Sequence, residues 1–328
     1  MQSFYRNIGK GTDYEFDSYD MKSNILGSNW FDKIGNEYIL SKNLLTIYIN
    51  SELNDSKYTI INYINDIPEN EKLDIVFKFD NLKENILIFN SLCNILSLVD
   101  SKRNIVIDIT NLIFSENAEL NFDSLKSNVK ISSMLNNKLE EKYNFSNLYF
   151  ESWMMNCDEE RFSVLIQKLT PNTLARIKRM REICTNFYRR TPVQIKNAKN
   201  LEKTIYAYKW ISANIGYDFS ANNSDGTLKP DRVDSQDPIL TLEHKKGTSV
   251  GKSRLLKLLL NNHYMKVPCF LVNGKVGNKQ HTWNEILLED DSTVEFDLSN
   301  QNNKLTTDHN DLAVYNESLN NGYTKRFK

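Results

Sequence analysis

The chain has 328 residues, 40% of them hydrophobic and 25% charged, and its 41 basic residues nearly cancel 42 acidic ones to leave a net charge of -1. That length and mix predict two globular domains. No block of like charges gives an electrostatic reason to expect a nucleic acid or an anionic membrane as partner, and no stretch approaches the roughly 18 consecutive apolar residues of a membrane span.

Residues 1–40 mix Gly, Asn, Asp, Ser and aromatics without a sustained period and read as an irregular arm. No apolar run follows a basic start, so no cleaved signal is expected and the chain reads as cytoplasmic. Cys93, Cys157, Cys184 and Cys269 are widely spread with no CxxC pair. They read as reduced, mostly buried thiols, not as a disulfide framework or a zinc site.

From residue 44 the pattern changes. Segment 44–50 is a β-branched and aromatic run, 57–66 has helical spacing, 73–79 reads as strand, 84–99 as a long amphipathic helix and 104–110 as a third strand. This alternation predicts a small α/β domain with parallel crossovers over 41–155. Segments 129–133 and 148–154 are expected as edge strands around a helical 134–143. No GxGxxG follows the first strand, so the dinucleotide fingerprint is missing and a scaffold or partner-binding role is the expectation.

Residues 156–328 form the second predicted domain. Helices are expected over 158–169 and 170–190, with Pro171 in the first turn behind Thr170 as cap. Segment 201–220 carries Ile205, Tyr208, Ile211 and Ile215 at helical spacing and stops at Gly216. The polar stretch 221–238 reads as a long surface loop. Segment 250–262 is a strong helix pattern, and 267–274, 282–290 and 292–299 are strands, which predicts an α+β domain with a helix packed on an antiparallel sheet.

Three residues in this half suggest chemistry. Ser249 fronts a helix, His281 heads a strand that continues as Trp283-Asn284-Glu285, and Asp297 lies near the end of the next strand. Neighbouring antiparallel strands can hold His281 beside Asp297, whose carboxylate then fixes the tautomer of the ring. A nucleophile on the first helical turn lies among backbone N–H donors that favour a thiolate or an oxyanion.

The run 245–299 resembles the core of the transglutaminase-like (papain-type) family: a Gly-x-Cys at a helix start, a His-x-Trp-Asn-Glu strand, and an Asp closing the following strand. The helix that ends in Trp210-Ile211 and leads to Gly216-Tyr217-Asp218 is similar to the one entering that family's core. The resemblance covers roughly 201–299. It implies that Gly247-Thr248-Ser249 falls on the Gly-x-Cys, His281 on the catalytic histidine and Asp297 on the aspartate. Tyr217, Trp283 and Asn284 would line or support the site. Members with cysteine hydrolyse or transfer amide acyl groups through a thioester, so a peptide or protein substrate is implied and no metal or organic cofactor is. Asp290-Asp291 reads as a turn and not a calcium loop.

Ser249 is the departure. A serine hydroxyl starts many pKa units above a thiol, so the helix dipole does not ionise it. Three readings follow: an engineered Cys-to-Ser change, a natural pseudoenzyme that keeps its cleft for protein interaction, or a working serine nucleophile. Taken alone, Ser249 would be simply the cap of helix 250–262, and Lys252 a solvated helix residue. Two further motifs overlap. Gly247 to Gly251 satisfies GxSxG, the serine-hydrolase elbow, with Asp297 and His309 as partners; it requires a buried strand at 241–246 and parallel strands upstream, where the pattern shows helices. Gly251-Lys252-Ser253 lacks the P-loop's earlier glycine and its preceding strand.

Overall fold

In a computed structural model, the described residues are 37–41, 44–49, 61–62, 64–65, 73–79, 86–100, 102–112, 118–133, 147–223, 228–276, 279–299 and 323–325. The expectations for 1–36, for most of 57–66, for 134–143 and for His309 lie outside them. The chain mixes helices and sheets and divides into two compact units, the first comprising 1–138, 145–153 and 158–175, the second 139–144, 154–157 and 176–328.

The first unit is built on a five-stranded sheet in the order β1-β2-β3-β4-β5: Glu37–Ser41 (β1), Leu44–Ile49 (β2), Asp74–Phe79 (β3), Ile105–Asp108 (β4) and Val129–Ser132 (β5). Strands β2 to β5 run parallel, and β1 pairs antiparallel with β2 inside the stretch read as an arm. Inward residues such as Ile47, Phe77 and Ile107 are buried. Helix α1 (Ile86–Ser97) buries Phe89, Leu92, Cys93 and Leu96, and Phe89 lies 6.2 Å from Phe79 and 6.4 Å from Phe122.

One expected strand is a helix. Residues Leu148–Asn156 form α2. Buried Phe150, Trp153 and Met154 recur three or four apart, a helical face. Asn147 Oδ1 also accepts from the Phe150 N–H at 3.0 Å, capping the first turn. Aromatic β-propensity is a weaker signal than that spacing.

Helices α3 (Glu159–Leu165) and α4 (Pro171–Arg190) follow, then the short α5 (Val193–Lys196) and α6 (Asn200–Asn214). In the second unit the sheet order is β10-β9-β8-β11: Cys269–Val276 (β8), Lys279–Leu287 (β9), Thr293–Phe296 (β10) and Tyr323–Lys325 (β11), every pairing antiparallel. Asp290-Asp291 turns the chain from β9 to β10, with Asp290 Oδ1 accepting from the Ser292 N–H at 3.1 Å and Asp291 at φ 62°. Helix α7 (Pro238–Glu243) occupies the segment where a hydrolase would need a buried strand. A two-residue strand, Lys246–Gly247 (β7), then pairs in parallel with Gly216–Tyr217 (β6).

Helix α8 (Ser249–Leu260) packs against β8 and β9 and is also touched by α6, α7 and a 3-10 segment at Pro230–Gln236. A helix covered on several sides has no broad solvated face, and Leu255, Leu256, Leu258, Leu259 and Leu260 are all buried. No described helix is long and apolar enough to cross a membrane.

Candidate active site

The backbone places Ser249 by a series of close approaches. Thr248, not Ser249, is the N-cap of α8, its Oγ1 accepting from the Gly251 N–H at 3.5 Å, so Ser249 is the first helical residue and its side chain is not needed as a cap. Thr248 is in turn held by the Ser235 carbonyl, which accepts from its N–H at 3.0 Å and its hydroxyl at 3.2 Å. Gly251 sits against the same carbonyl: a Cβ there would stand 2.3 Å from Ser235 O and 2.4 Å from Thr241 Oγ1. Gly247 is equally confined, 2.6 Å from Thr241 Oγ1 by the same measure.

The stretch 221–238 is thus more than the surface loop expected of it. Ser235 is buried because Asp218, itself buried, gathers it. The Asp218 carboxylate accepts from Ser220 Oγ at 2.6 Å and Ser235 Oγ at 2.7 Å, and pairs with the Arg232 guanidinium. Burial pushes that carboxyl upward, but the two hydroxyls, Arg232 and Lys246 outweigh it and hold Asp218 below the usual carboxylate range.

His281 lies on β9, and Asp297 directly follows β10. His281 Nε2 lies 2.8 Å from Asp297 Oδ2, and Ser299 Oγ is 3.1 Å from the same ring nitrogen. The other oxygen of Asp297 accepts from the Ser299 N–H at 2.8 Å and its hydroxyl at 2.6 Å. Burial raises the Asp297 carboxyl, yet the bond and charge of His281 together with both Ser299 donors bring it below its ordinary value. The dyad is therefore built around a carboxylate. In the neutral ring the proton sits on Nε2, facing that carboxylate, and Nδ1 is the basic nitrogen. Ser299 was not among the residues singled out from sequence. Its signal was the Asp-x-Ser spacing of 297–299, in which an aspartate caps the backbone two residues on.

Ser249 and His281 line one cavity of about 420 Å³, together with Gln236, Thr248, Asn273 and Gln280. The Tyr217 hydroxyl belongs to the same cluster. Burial raises it, while the backbone amide of Ser249 and the Asn222 side chain act in the opposite direction; Asn222 Nδ2 donates to it at 3.1 Å. Trp283 is fully buried and stacks beneath His281, ring centroids 6.0 Å apart at 23°. Asn284 points into the protein instead, donating to Ser253 O at 2.9 Å and contacting Cys269 Sγ at 3.3 Å. With Ser253 Oγ donating to Thr282 O at 3.1 Å, it ties α8 to β9 and so fixes Ser249 relative to His281.

Lys252 is the correction at this site. It is not a solvated helix residue but 3% exposed, because α8 is covered on the side it faces. All four cysteines are buried, and burial pushes the Cys184 thiol up to about 12. Among the described residues no group of His, Cys, Asp or Glu side chains is arranged to hold a metal ion. A concavity of about 270 Å³ in the first unit, lined by Asp123, Asp158, Glu160 and Arg161, offers neither nucleophile nor imidazole.

No family model matches the chain, and no curated protein matches it. Among solved structures, a candidate cysteine protease from Cytophaga hutchinsonii is similar over 45% of this chain and 40% of its own, with 16% identity and a TM-score of 0.28. A structure described as a TGase is similar over 50% of this chain and 41% of its own, with 16% identity and a TM-score of 0.32. The chain spans less than half the length of either. The likeness is weak and partial, and the chemistry of the site rests on its own geometry.

Proposed function

We propose that the second unit carries a papain-type acyl-transfer site, related to transglutaminases and cysteine proteases, that acts on an amide of a peptide or protein. Position 249 provides the nucleophile, His281 the general acid and base through Nδ1, and Asp297 the carboxylate that orients the ring. The observation that carries this reading is the pairing of His281 with buried Asp297, 2.8 Å apart, with the imidazole on the same cavity as a side chain at a helix N-terminus. Backbone donors at that terminus suit an oxyanion, and the Tyr217 hydroxyl beside the Ser249 amide is placed to add another. Residues 156–328 are assigned the reaction and 41–155 a scaffold or partner-binding role.

With serine at 249, the dyad alone gives weak turnover, because imidazole is a poor match for a hydroxyl whose pKa lies many units higher. Ser249→Cys tests the site independently of that handicap. The new thiol is expected to react with iodoacetamide near neutral pH faster than Cys93, Cys157, Cys184 or Cys269, which are buried. Adding His281→Ala is expected to slow it by removing the ion-pair partner. A thiol at 249 that reacts no faster than the buried four, and ignores His281, would leave a non-catalytic binding cleft as the better reading.

A further inference from the structure

The acid–base groups assigned so far leave a buried lysine of α8 unused. Lys252 is 3% exposed, whereas lysine is almost never fully buried unless paired. It follows Ser249 by three residues on α8, so the two Cβ atoms are about 5–6 Å apart. A long helical side chain leans back over the turn preceding its own Cα, which here is the turn that Ser249 begins. The charge acting on it is the carboxylate of Asp297, which is already engaged by His281 and Ser299. Burial lowers the Lys252 ammonium from its usual range, and Asp297 offsets part of that shift.

We propose that Lys252 is the general base for Ser249, making the serine a working nucleophile in a Ser-x-x-Lys arrangement and not the remnant of a cysteine site. The inference rests on the acyl-transfer reading and specifies how that site runs with a hydroxyl. A serine one helical turn before a lysine is the nucleophile arrangement of β-lactamases and penicillin-binding proteins. The physical case here is that burial disfavours the ammonium, so that a neutral amine one helical turn from the Ser249 hydroxyl is available to take its proton.

In the step, neutral Lys252 Nζ takes the Ser249 proton as Oγ bonds to the substrate carbonyl carbon and the C=O π pair moves onto oxygen. As that pair returns, the C–N bond breaks, its electrons leave with the amine, and the amine nitrogen takes the proton from Lys252. The products are an acyl ester on Ser249 and a free amine, with Lys252 neutral again. Water then bonds to the ester carbonyl carbon as His281 takes its proton, and as the C–Oγ bond breaks His281 returns that proton to Ser249 Oγ, releasing the acid.

The test is labelling of the full chain by a biotinylated fluorophosphonate, followed by intact mass. Here Ser249 Oγ displaces fluoride from phosphorus, and its proton is taken by Lys252. Wild type is expected to gain one adduct, at Ser249, and Lys252→Met to label at least ~100-fold more slowly, the usual scale for loss of a general base. Lys252→Arg is the discriminating variant: it keeps a positive charge beside Asp297 but cannot give up its proton, so it is expected to be as slow as Lys252→Met. Rescue by arginine would make Lys252 a charge partner of Asp297 and overturn the proposal, as would a wild-type chain that takes no label. Iodoacetamide alkylation of Ser249→Cys in the Lys252→Arg background separates the two readings. Rapid, His281-dependent alkylation there shows the site intact, so a labelling failure belongs to Lys252 alone; slow alkylation even with Lys252 present counts against the acyl-transfer site itself.

Discussion

Asp297 shows how much one short turn contributes. Its carboxylate is buried and receives three donors, two of them from Ser299. Because those bonds favour the ionised form, the folded pKa lies below the unfolded one. The stability this group contributes is therefore present above the unfolded pKa and is lost as pH falls through the folded value. Ser299→Ala removes one donor and moves the folded pKa back toward normal. The variant is expected to be less stable than wild type at about pH 7, by roughly 1–2 kcal/mol. The gap should narrow at about pH 3, below the unfolded carboxylate value, and close only once pH has fallen past the folded pKa of wild-type Asp297. Urea midpoints at the two values check this, and a gap unchanged by acid would contradict the assigned charge. His281 and Asp297 were legible in the sequence because β9 and β10 pair antiparallel, which brings residues at their ends away from the connecting turn side by side. Lys252 was not, since its burial depends on which elements cover α8.

Among the elements, α8 is where sequence and structure agree best and where packing adds most. Its apolar run and the strands that follow were readable from periodicity. Segment 148–154 reads as strand on its aromatics, Tyr149, Phe150 and Trp153, but the three-to-four spacing of Phe150, Trp153 and Met154 is a helical face, and the helix is what forms. The stretch 221–238 looked like a loop because Gly, Asn, Asp and Pro dominate it; the buried Asp218–Ser235 contact that folds it under α8 is long-range and leaves no local pattern. Gly251 measures the tightness of that fit. On helix propensity alone, Gly251→Ala would gain about 1 kcal/mol. The added Cβ, however, would meet a backbone carbonyl at 2.3 Å, and overpacking of this kind costs about 1–3 kcal/mol or more. The clash wins, so the variant is expected to melt lower than wild type; a higher melting temperature would mean that Ser235 and α8 are not held together as described.

At the scale of the molecule, two kinds of pattern set what could be read in advance. Alternation of strand and helix, with parallel pairing of β2 to β5, was visible in 44–133 because each element buries a periodic face. The strands β1 and β11 were not, since each is defined by its pairing and not by a run of its own. In the second unit, the proposed arrangement is a nucleophile position at 249 served by His281 and Asp297. Its most direct measurement is the ultraviolet absorbance of the thiolate in Ser249→Cys, followed across pH against the Ser249→Cys, His281→Ala double variant. The 249 thiol is expected to ionise well below the about 8.5 of a free cysteine, and this depression to be largely lost without His281. A thiol that titrates at or above the free value, with or without His281, would contradict it.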